Sequence, residues 1–208
     1  EMILREVAFF MQAGSHSSAN ALTHAFHEIH QWVSEHPQDH ARLREDEAFL
    51  RRCVHESLRL HPASPVAWRT ASEAFALPDG NEVAAGDAVI IDLMSANLEK
   101  TLFGEDAESF NPYRGVADRI PPFGLSFGIG IHTCFGRDIA GGLGTAKEAG
   151  QAPHLGTLTN LLKNLLQHHA RPDPAKPPVA DAGTERPNWG SYPLLIGAEA
   201  PANASTGS

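Results

Sequence analysis

A long stretch of helical periodicity at the start of the chain restricts its fold more than any other feature. Apolar residues recur at steps of three or four from Ile3 to Val33, and Pro37 ends the pattern. We therefore predict one helix over residues 1–36, a length that suits a helix crossing the middle of a large domain. Residues 13–18 are rich in poor helix formers, so they bend this helix, let a group approach its backbone, or form a tolerated weak patch.

The composition is typical of a soluble globular protein, with 208 residues of which 42% are hydrophobic and 20% charged. The excess of 25 acidic over 16 basic side chains argues against nucleic acid as a partner, because phosphate binding needs a basic patch. No apolar run reaches the roughly 20 residues that span a bilayer, so we expect no membrane partner. Cys53 and Cys134 are too few for a disulfide framework and favour a reducing, cytoplasmic location.

The rest of the chain predicts short elements of both kinds. A short helix is expected near 38–45, a stronger one at 47–60, and a leucine-rich one at 156–169. Turn residues separate apolar runs that we predict to be strands. These runs are 66–68, 75–77, 88–91 and 192–196. Residues 101–133 are mostly irregular, and a loop of this length in a compact domain is usually functional. The fold class expected is mainly α with small β-sheets.

The most informative segment is 127–136, Phe-Gly-Ile-Gly-Ile-His-Thr-Cys-Phe-Gly. Its glycines permit tight backbone turns around a single cysteine, Cys134, which lies just before a predicted helix. Backbone N–H groups at a helix start stabilise a thiolate, and a thiolate is a metal ligand. The alternative is a glycine-rich turn around a buried structural cysteine.

Two other features precede this segment. Glu56 and Arg59 carry opposite charges at i and i+3 of one predicted helix, and Arg114 ends the irregular sequence Phe-Asn-Pro-Tyr-Arg. This order, Glu-x-x-Arg, then an aromatic-Pro-Arg element, then Phe-x-x-Gly-x-His-x-Cys-x-Gly, resembles the C-terminal half of the cytochrome P450 family. The resemblance runs over residues 1–196 and covers about half of the family's usual fold.

The resemblance implies a role for each matching residue. Cys134 would be the thiolate ligand of the iron of heme b, and a thiolate opposite dioxygen favours cleavage of the O–O bond. His132 and Arg69 would bind the heme propionates, and Phe127 would pack near the cysteine. The implied heme contacts are Cys134, His132, Arg69, Phe127, Gly128, Gly136, Ala13 and Gly14. Glu56, Arg59 and Arg114 would form a buried structural network that holds the loop.

The long helix would cross the oxygen-binding face of the heme, with Ala13 and Gly14 beside the oxygen site. There the family usually places an acid followed by Thr, whereas this chain has His16 and Ser17. Ser17 keeps a hydroxyl that can donate a proton. His16 either relays protons, since its unperturbed pKa is near neutrality, or points away from the site. His16 and Ser17 are therefore the expected catalytic residues.

The implied function is that of a heme-thiolate monooxygenase, which inserts one oxygen atom from dioxygen into a small organic substrate. A ferredoxin or a flavoprotein reductase would supply the electrons. The alternatives are a peroxide-driven or non-oxygenating heme-thiolate enzyme, and a heme-binding fragment without catalysis. We expect residues 1–197 to be the C-terminal part of a heme domain within a longer polypeptide, and 198–208 to be a flexible tail.

Three further sequence features have structural explanations. His24, His27 and His30 are spaced by three residues on the long helix, where a solvated polar face is a better explanation than a shared metal ion. Cys53 is expected to be a buried, inert thiol. Residues 141–153, rich in Gly and Ala, are expected to be an insertion or break in the helix after Cys134.

Overall fold

The chain begins with one long helix in the computed structural model, which describes residues 1–142, 154–184 and 186–197. Helix α1 covers Met2–Glu35 and continues through residues 13–18, so the poor helix formers there do not break it. It ends before Pro37, as the sequence predicts. The expected tail at 198–208 and most of the expected insertion at 141–153 lie outside the described residues.

Further helices follow a 3₁₀ turn at Pro37–Asp39. The single-turn α2 (Arg42–Glu45) completes the short helix expected near 38–45, and α3 (Glu47–Leu60) has the predicted bounds. The Asp46 side chain caps α3 by accepting a hydrogen bond from the Phe49 N–H at 3.0 Å. The other helices of the described chain are α4 (Leu93–Asn97), α5 (Lys100–Phe103), α6 (Arg137–Gly141) and α7 (Thr157–Gln167).

The hydrophobic core lies where the second half of α1 packs against α3 and α7. The principal buried side chains are Phe26, Ile29, Phe49, Leu50, Val54, Leu158 and Leu162. The first half of α1 has different surroundings, because its large apolar side chains are more than half exposed. Ile3, for example, is 76% exposed and Phe9 is 61% exposed. The long helix therefore anchors in the core with its C-terminal half alone.

The strands form four small antiparallel sheets of two strands each within the described chain. The longest pair joins β1 (Val66–Thr70) to β4 (Ala88–Asp92), with Trp68 opposite Ile90. The other pairs are β2 (Phe75–Ala76) with β3 (Glu82–Val83), β5 (Arg171–Pro172) with β8 (Leu194–Leu195), and β6 (Val179–Ala180) with β7 (Trp189–Ser191). The expected fold class, mainly α with small β-sheets, is confirmed.

A long irregular segment separates α5 from α6. Residues 104–136 contain one 3₁₀ turn, Gly130–His132, and are otherwise held by turns and side-chain hydrogen bonds. The predicted irregularity of this region is confirmed, and it contains the cysteine motif. Among the described helices, none is both long enough and apolar enough to cross a membrane.

The expectation of a solvated histidine face on α1 is wrong. His24 is 6% exposed and its ring stacks on that of His61 at 4.3 Å between centroids. His27 Nδ1 is hydrogen-bonded to the Tyr192 hydroxyl at 3.0 Å, and His30 Nε2 is buried. His24 and His27 are covered by the end of α3 and the C-terminal strands, and His30 is covered by the segment after α7. In the described residues, no group of His, Cys, Asp and Glu has the arrangement of a metal site.

Burial of histidines makes the stability of this fold dependent on pH. Burial lowers the pKa of His24, His30 and His55 to about 4 each, from an ordinary value of 6.5. In the unfolded chain these rings take up protons below about pH 6.5, whereas in the folded chain they do so only near pH 4. The unfolded state thus binds more protons between these values, and the folded state loses stability as the pH falls through this window.

We predict that the urea midpoint of unfolding falls steadily from pH 7 to pH 4.5. At pH 5 unfolding should take up close to three protons from these histidines alone, because all three are neutral in the folded chain. Replacing the buried His55 by Gln should reduce this slope, whereas replacing the exposed His168 by Gln should leave it unchanged. A midpoint that is constant across this range would contradict the prediction.

Candidate functional site

The cysteine motif folds into a tight loop that closes on itself. The Cys134 N–H donates to the Phe127 carbonyl at 2.8 Å, so the two ends of the motif are joined. Gly128 has a φ of 67°, and a Cβ there would lie 3.0 Å from the His132 carbonyl oxygen. A side chain at position 128 would therefore be strained and crowded. Gly130 also has a positive φ, of 63°, in the 3₁₀ turn that follows.

The Cys134 thiol is exposed and forms no disulfide. The alternative of a buried structural cysteine is therefore wrong for this residue. Its sequence neighbours are unusually exposed apolar residues, with Ile131 at 96% and Phe135 at 92%. A soft sulfur ligand next to uncovered apolar side chains fits a flat apolar macrocycle with a central metal ion. Gly136 has a negative φ, and a Cβ there would be 3.7 Å from the sulfur, an ordinary contact distance.

A bound macrocycle that carries carboxylates at its edge needs hydrogen-bond donors there. Two side chains, His132 and Arg69, can supply such donors. His132 is exposed at the end of the 3₁₀ turn, two residues before the cysteine. Arg69 lies on β1 and donates to the Trp68 carbonyl at 2.7 Å. No carboxylate pairs with Arg69 within residues 1–142, 154–184 and 186–197. Its guanidinium is thus suited to pair with a carboxylate from a bound group.

Phe127 connects the loop to the protein interior. Its ring lies edge-to-face on that of Phe123, with 5.0 Å between centroids, and it packs against the core. A Cβ at Gly141 of α6 would lie 3.3 Å from the Phe127 ring. The aromatic side chain that opens the motif therefore fixes the loop against the core and against the helix that follows Cys134.

The three charged residues singled out in the sequence come together in the interior. Arg59 is fully buried and makes two parallel hydrogen bonds to the Glu56 carboxylate, from Nε at 2.9 Å and Nη2 at 2.7 Å. Arg114 Nε donates to Glu56 Oε1 at 2.9 Å. Arg59 Nη1 also donates to the carbonyls of Asn97 and Ala107, at 2.7 Å each. One buried carboxylate therefore pairs with two guanidinium groups.

Arg114 extends this network into the irregular segment. Although burial disfavours its charge, hydrogen bonds to Glu56 and Asp106 raise its pKa above the ordinary value. It also donates to the carbonyls of Phe103, Asp106 and Ser109, so one side chain holds three turns of the segment. The Asn111 N–H donates to Glu56 at 3.1 Å, which fixes the start of the aromatic-Pro-Arg element.

Asn97 is a site residue that the sequence analysis missed. It is fully buried, and its Oδ1 accepts from the Leu125 N–H at 2.7 Å while its Nδ2 donates to the Arg59 carbonyl at 2.9 Å. Its Nδ2 also donates to the Ser126 hydroxyl at 3.0 Å, and that hydroxyl donates to the Leu58 carbonyl at 2.6 Å. Asn97 therefore joins the charged network to the two residues that precede Phe127. No local pattern marks it, because its partners lie 28 to 38 residues away in sequence.

The expected catalytic residues of α1 lie apart from this network. The Ser17 hydroxyl donates to the Ala13 carbonyl at 2.9 Å, one turn earlier in the helix. His16 Nε2 is hydrogen-bonded to the Asn20 side-chain amide at 3.3 Å. A Cβ at Gly14 would meet no atom within 4 Å, so the surface there is open. Among the described residues, no hydrogen bond connects His16 or Ser17 to the cysteine loop.

The other thiol is buried and unreactive. Cys53 is fully buried in α3, and burial raises the pKa of its thiol well above the ordinary range. The expectation of a buried, inert thiol is confirmed for Cys53. The two cysteines therefore have opposite surroundings, and Cys134 is the accessible one.

Comparisons with known proteins give a consistent result for the sequence. The family model described as Cytochrome P450 matches residues 1–141. The chain is 28% identical to an alkane hydroxylase, MAH1, of Arabidopsis thaliana over 160 residues, which are 67% of this chain and 31% of the relative. It is 30% identical to the mycinamicin VIII C21 methyl hydroxylase of Micromonospora griseorubida over 138 residues, which are 66% of this chain and 33% of the relative. The chain thus spans about a third of the length of these relatives.

Solved structures show the same fold. CYP109E1 of Bacillus megaterium, without substrate, superimposes with a TM-score of 0.66 at 20% identity, over 91% of this chain and 43% of that one. The cytochrome P450 TbtJ1, without ligand, gives a TM-score of 0.65 at 18% identity, over 94% of this chain and 46% of that one. The described fold therefore corresponds to less than half of these proteins.

We predict that replacing Glu56 by Gln destabilises the chain by about 3–5 kcal/mol. The substitution keeps the shape of the side chain but leaves the buried Arg59 without its anion and Arg114 with Asp106 alone. Urea unfolding followed by circular dichroism measures the change. The matched control is Glu47→Gln, at the start of the same helix, where a partly exposed ion pair with Lys163 is worth at most about 1 kcal/mol. Equal effects of the two substitutions would contradict a buried network.

Proposed function

Because this chain belongs to the cytochrome P450 family, we propose that it supplies the iron-binding thiolate of a heme-thiolate monooxygenase, with Cys134 as the ligand. The observation that carries the proposal is the exposed, unpaired thiol of Cys134 in a closed glycine loop beside uncovered apolar side chains. When bound, heme supplies the redox chemistry of oxygen activation, and a thiolate ligand favours cleavage of the O–O bond.

The protein's own contribution begins with holding this sulfur. The hydrogen bond that closes the loop at Cys134 and the bonds from Asn97 to Leu125 and Ser126 support a sulfur position that is set before the cofactor arrives. A preorganised ligand reduces the ordering cost of cofactor binding. Arg69 and His132 would bind the propionates of heme b, since both offer donors that carboxylates accept.

Proton delivery is assigned to α1. Ser17 would hold a proton at its Oγ, which donates at 2.9 Å to the Ala13 carbonyl, and would release it by turning away from that carbonyl. His16 would exchange protons with solvent through its ring, since it is exposed. Ala13 and Gly14 would leave room for oxygen beside these groups, consistent with the open surface at Gly14.

The proposed reaction inserts one oxygen atom into a small, largely apolar organic substrate. Two of the relatives are named hydroxylases, of alkanes and of a methyl group of mycinamicin VIII. The uncovered side chains Phe9, Phe10 and Val66 give apolar surface that suits such a substrate. A ferredoxin or flavoprotein reductase would supply the two electrons, and the second oxygen atom would leave as water. Two free thiols suit the reducing cytoplasm.

The test is the absorption spectrum of the 208-residue chain loaded with heme b, reduced and exposed to carbon monoxide. Thiolate ligation is expected to give the long-wavelength Soret band of heme-thiolate proteins. Cys134→Ala should abolish this band, whereas Cys53→Ala should retain it, because the Cys53 thiol is buried and the Cys134 thiol is exposed. Failure of the chain to take up heme, or an unchanged band in Cys134→Ala, would overturn the proposal.

A further inference from the structure

The first half of α1 has an apolar side that the described part of the chain leaves uncovered. Residues 1–16 are all exposed, and the large apolar side chains along one side of the helix are between 51% and 76% exposed. They are Ile3, Leu4, Val7, Phe10 and Met11. An isolated helix of about 15 residues is only marginally stable in water, so this half of α1 gains stability from a partner. A contiguous exposed apolar patch is also typical of an interaction surface.

The spacing of residues on this side of α1 indicates what kind of partner fits. Steps of four and three alternate along the helix, first through large side chains and then through small ones. The members of this set, called the α1 stripe below, are Ile3, Val7, Phe10, Gly14, Ser17 and Ala21. Such alternation keeps one line of residues facing a second helix over several turns. The α1 stripe therefore has the periodicity of a seam between two helices.

The large end and the small end of the α1 stripe are complementary in size. If a second α1 lies antiparallel to the first, each large side chain of one helix faces a small residue of the other. The facing pairs are Phe10 with Gly14, Val7 with Ser17, and Ile3 with Ala21. A Cβ at Gly14 would meet no atom within 4 Å, so the surface there has room for an aromatic ring. The Ser17 hydroxyl donates to the Ala13 carbonyl at 2.9 Å, so an apolar side chain can cover it without leaving it unsatisfied.

The arrangement of these pairs is that of a two-fold axis. In every pair the two positions lie equally far from Gln12 along the chain, on opposite sides of it. A two-fold interface has this property, because a contact from position i to position j is repeated from j to i. A parallel pair would instead place Phe10 against Phe10 and Gly14 against Gly14, which crowds one level and leaves a gap at the other. The α1 stripe therefore matches a second, antiparallel copy of itself.

The exposed area is close to what a stable pair requires. At roughly 200 Å² for a large apolar residue, the five uncovered side chains offer about 600 Å² per copy. Each partner of a stable complex buries about 800 Å². The small residues Ala13, Gly14 and Ser17 are exposed or half-buried and supply part of the remainder. The apolar side of α1 is thus large enough to hold two copies together.

We propose that two copies of this chain pair through the first halves of their α1 helices, antiparallel, with Phe10 of each copy packed on Gly14 of the other. The residues beside the α1 stripe suit this pairing. Met11 lies next to Met11 of the other copy, and Glu6 lies next to Asn20 of the other copy, so no like charges meet.

Pairing and the proposed oxygen site use the same part of α1. The pair covers Gly14 and Ser17, which the proposed function places beside the oxygen, so we expect it of the chain without heme. The proposal does not depend on the proposed function, because its test is the oligomeric state rather than a spectrum of bound heme. A monomeric chain would leave the absorption test of Cys134 as it stands.

The first experiment is sedimentation velocity of the heme-free chain over a hundredfold range of concentration. We expect a reversible monomer–dimer equilibrium that stops at the dimer, because a two-fold interface is closed. A chain that stays monomeric over the whole range, whatever else covers its α1, would overturn the proposal. Association that continues beyond the dimer would also overturn it.

Two adjacent phenylalanines provide a matched pair of variants. Phe10 is in the α1 stripe, whereas Phe9 is similarly exposed but lies outside it. Phe10→Lys should weaken dimerisation by at least about thirtyfold, since a central buried aromatic side chain is lost from each copy. Phe9→Lys should dimerise as the unchanged chain does. Equal weakening by the two substitutions would indicate non-specific apolar association and would overturn the proposal.

Cross-linking tests the direction of the pair. The experiment uses Cys134→Ala as the background, because this substitution removes the exposed thiol and Cys53 is buried. Under mild oxidation, a mixture of Val7→Cys and Ser17→Cys chains should form a disulfide-linked dimer. Each variant alone should not, because an antiparallel pair holds its two copies of position 7 about 15 Å apart. A cross-linked dimer of Val7→Cys alone, or no cross-link in the mixture, would overturn the antiparallel pairing.

Discussion

The buried carboxylate of Glu56 is the interaction on which the rest of the structure depends. It accepts hydrogen bonds from Arg59, Arg114 and the Asn111 backbone, and so joins helix α3 to the irregular segment. Irregular chain cannot satisfy its own polar groups, so its backbone needs external partners. Here two guanidinium groups supply them, and their charge is acceptable in the interior because Glu56 pairs with both and Asp106 pairs with Arg114 as well.

The cysteine loop is positioned through this network rather than by regular secondary structure. Asn97 Oδ1 accepts a hydrogen bond from the Leu125 N–H. The Asn97 Nδ2 group donates to the Ser126 hydroxyl and to the Arg59 carbonyl. Gly124, with a φ of 57°, packs so closely against Asn97 that a side chain there has no room. The accessible sulfur of Cys134 is thus connected to the core by a chain of short hydrogen bonds, which suits the proposed role of Cys134 as a metal ligand.

The features that were predicted correctly from the sequence are those that depend on a local residue pattern. The bounds of α3, the start of β1 and the irregular region came from periodicity, proline and turn residues, and the glycine-cysteine motif marked the loop. The role of Asn97 and the inward orientation of the α1 histidines were not predicted, because the residues that surround these side chains are distant in sequence. His27 meets Tyr192, which lies 165 residues away. The exposure of the apolar side chains in the first half of α1 was also not predicted. Periodicity indicates a helix, but it does not indicate whether another part of the protein covers the apolar face of that helix.

The most direct test of this account is hydrogen exchange at the backbone amides of the cysteine loop in Glu56→Gln. If the buried carboxylate holds the loop, the amides of Leu125 and Cys134, bonded to Asn97 and Phe127, should exchange much faster in this variant. The amides of α7 lie in the core and should accelerate by no more than the loss of global stability that urea unfolding measures. Unchanged exchange at Leu125 and Cys134 would contradict the claim that Glu56 fixes the position of Cys134.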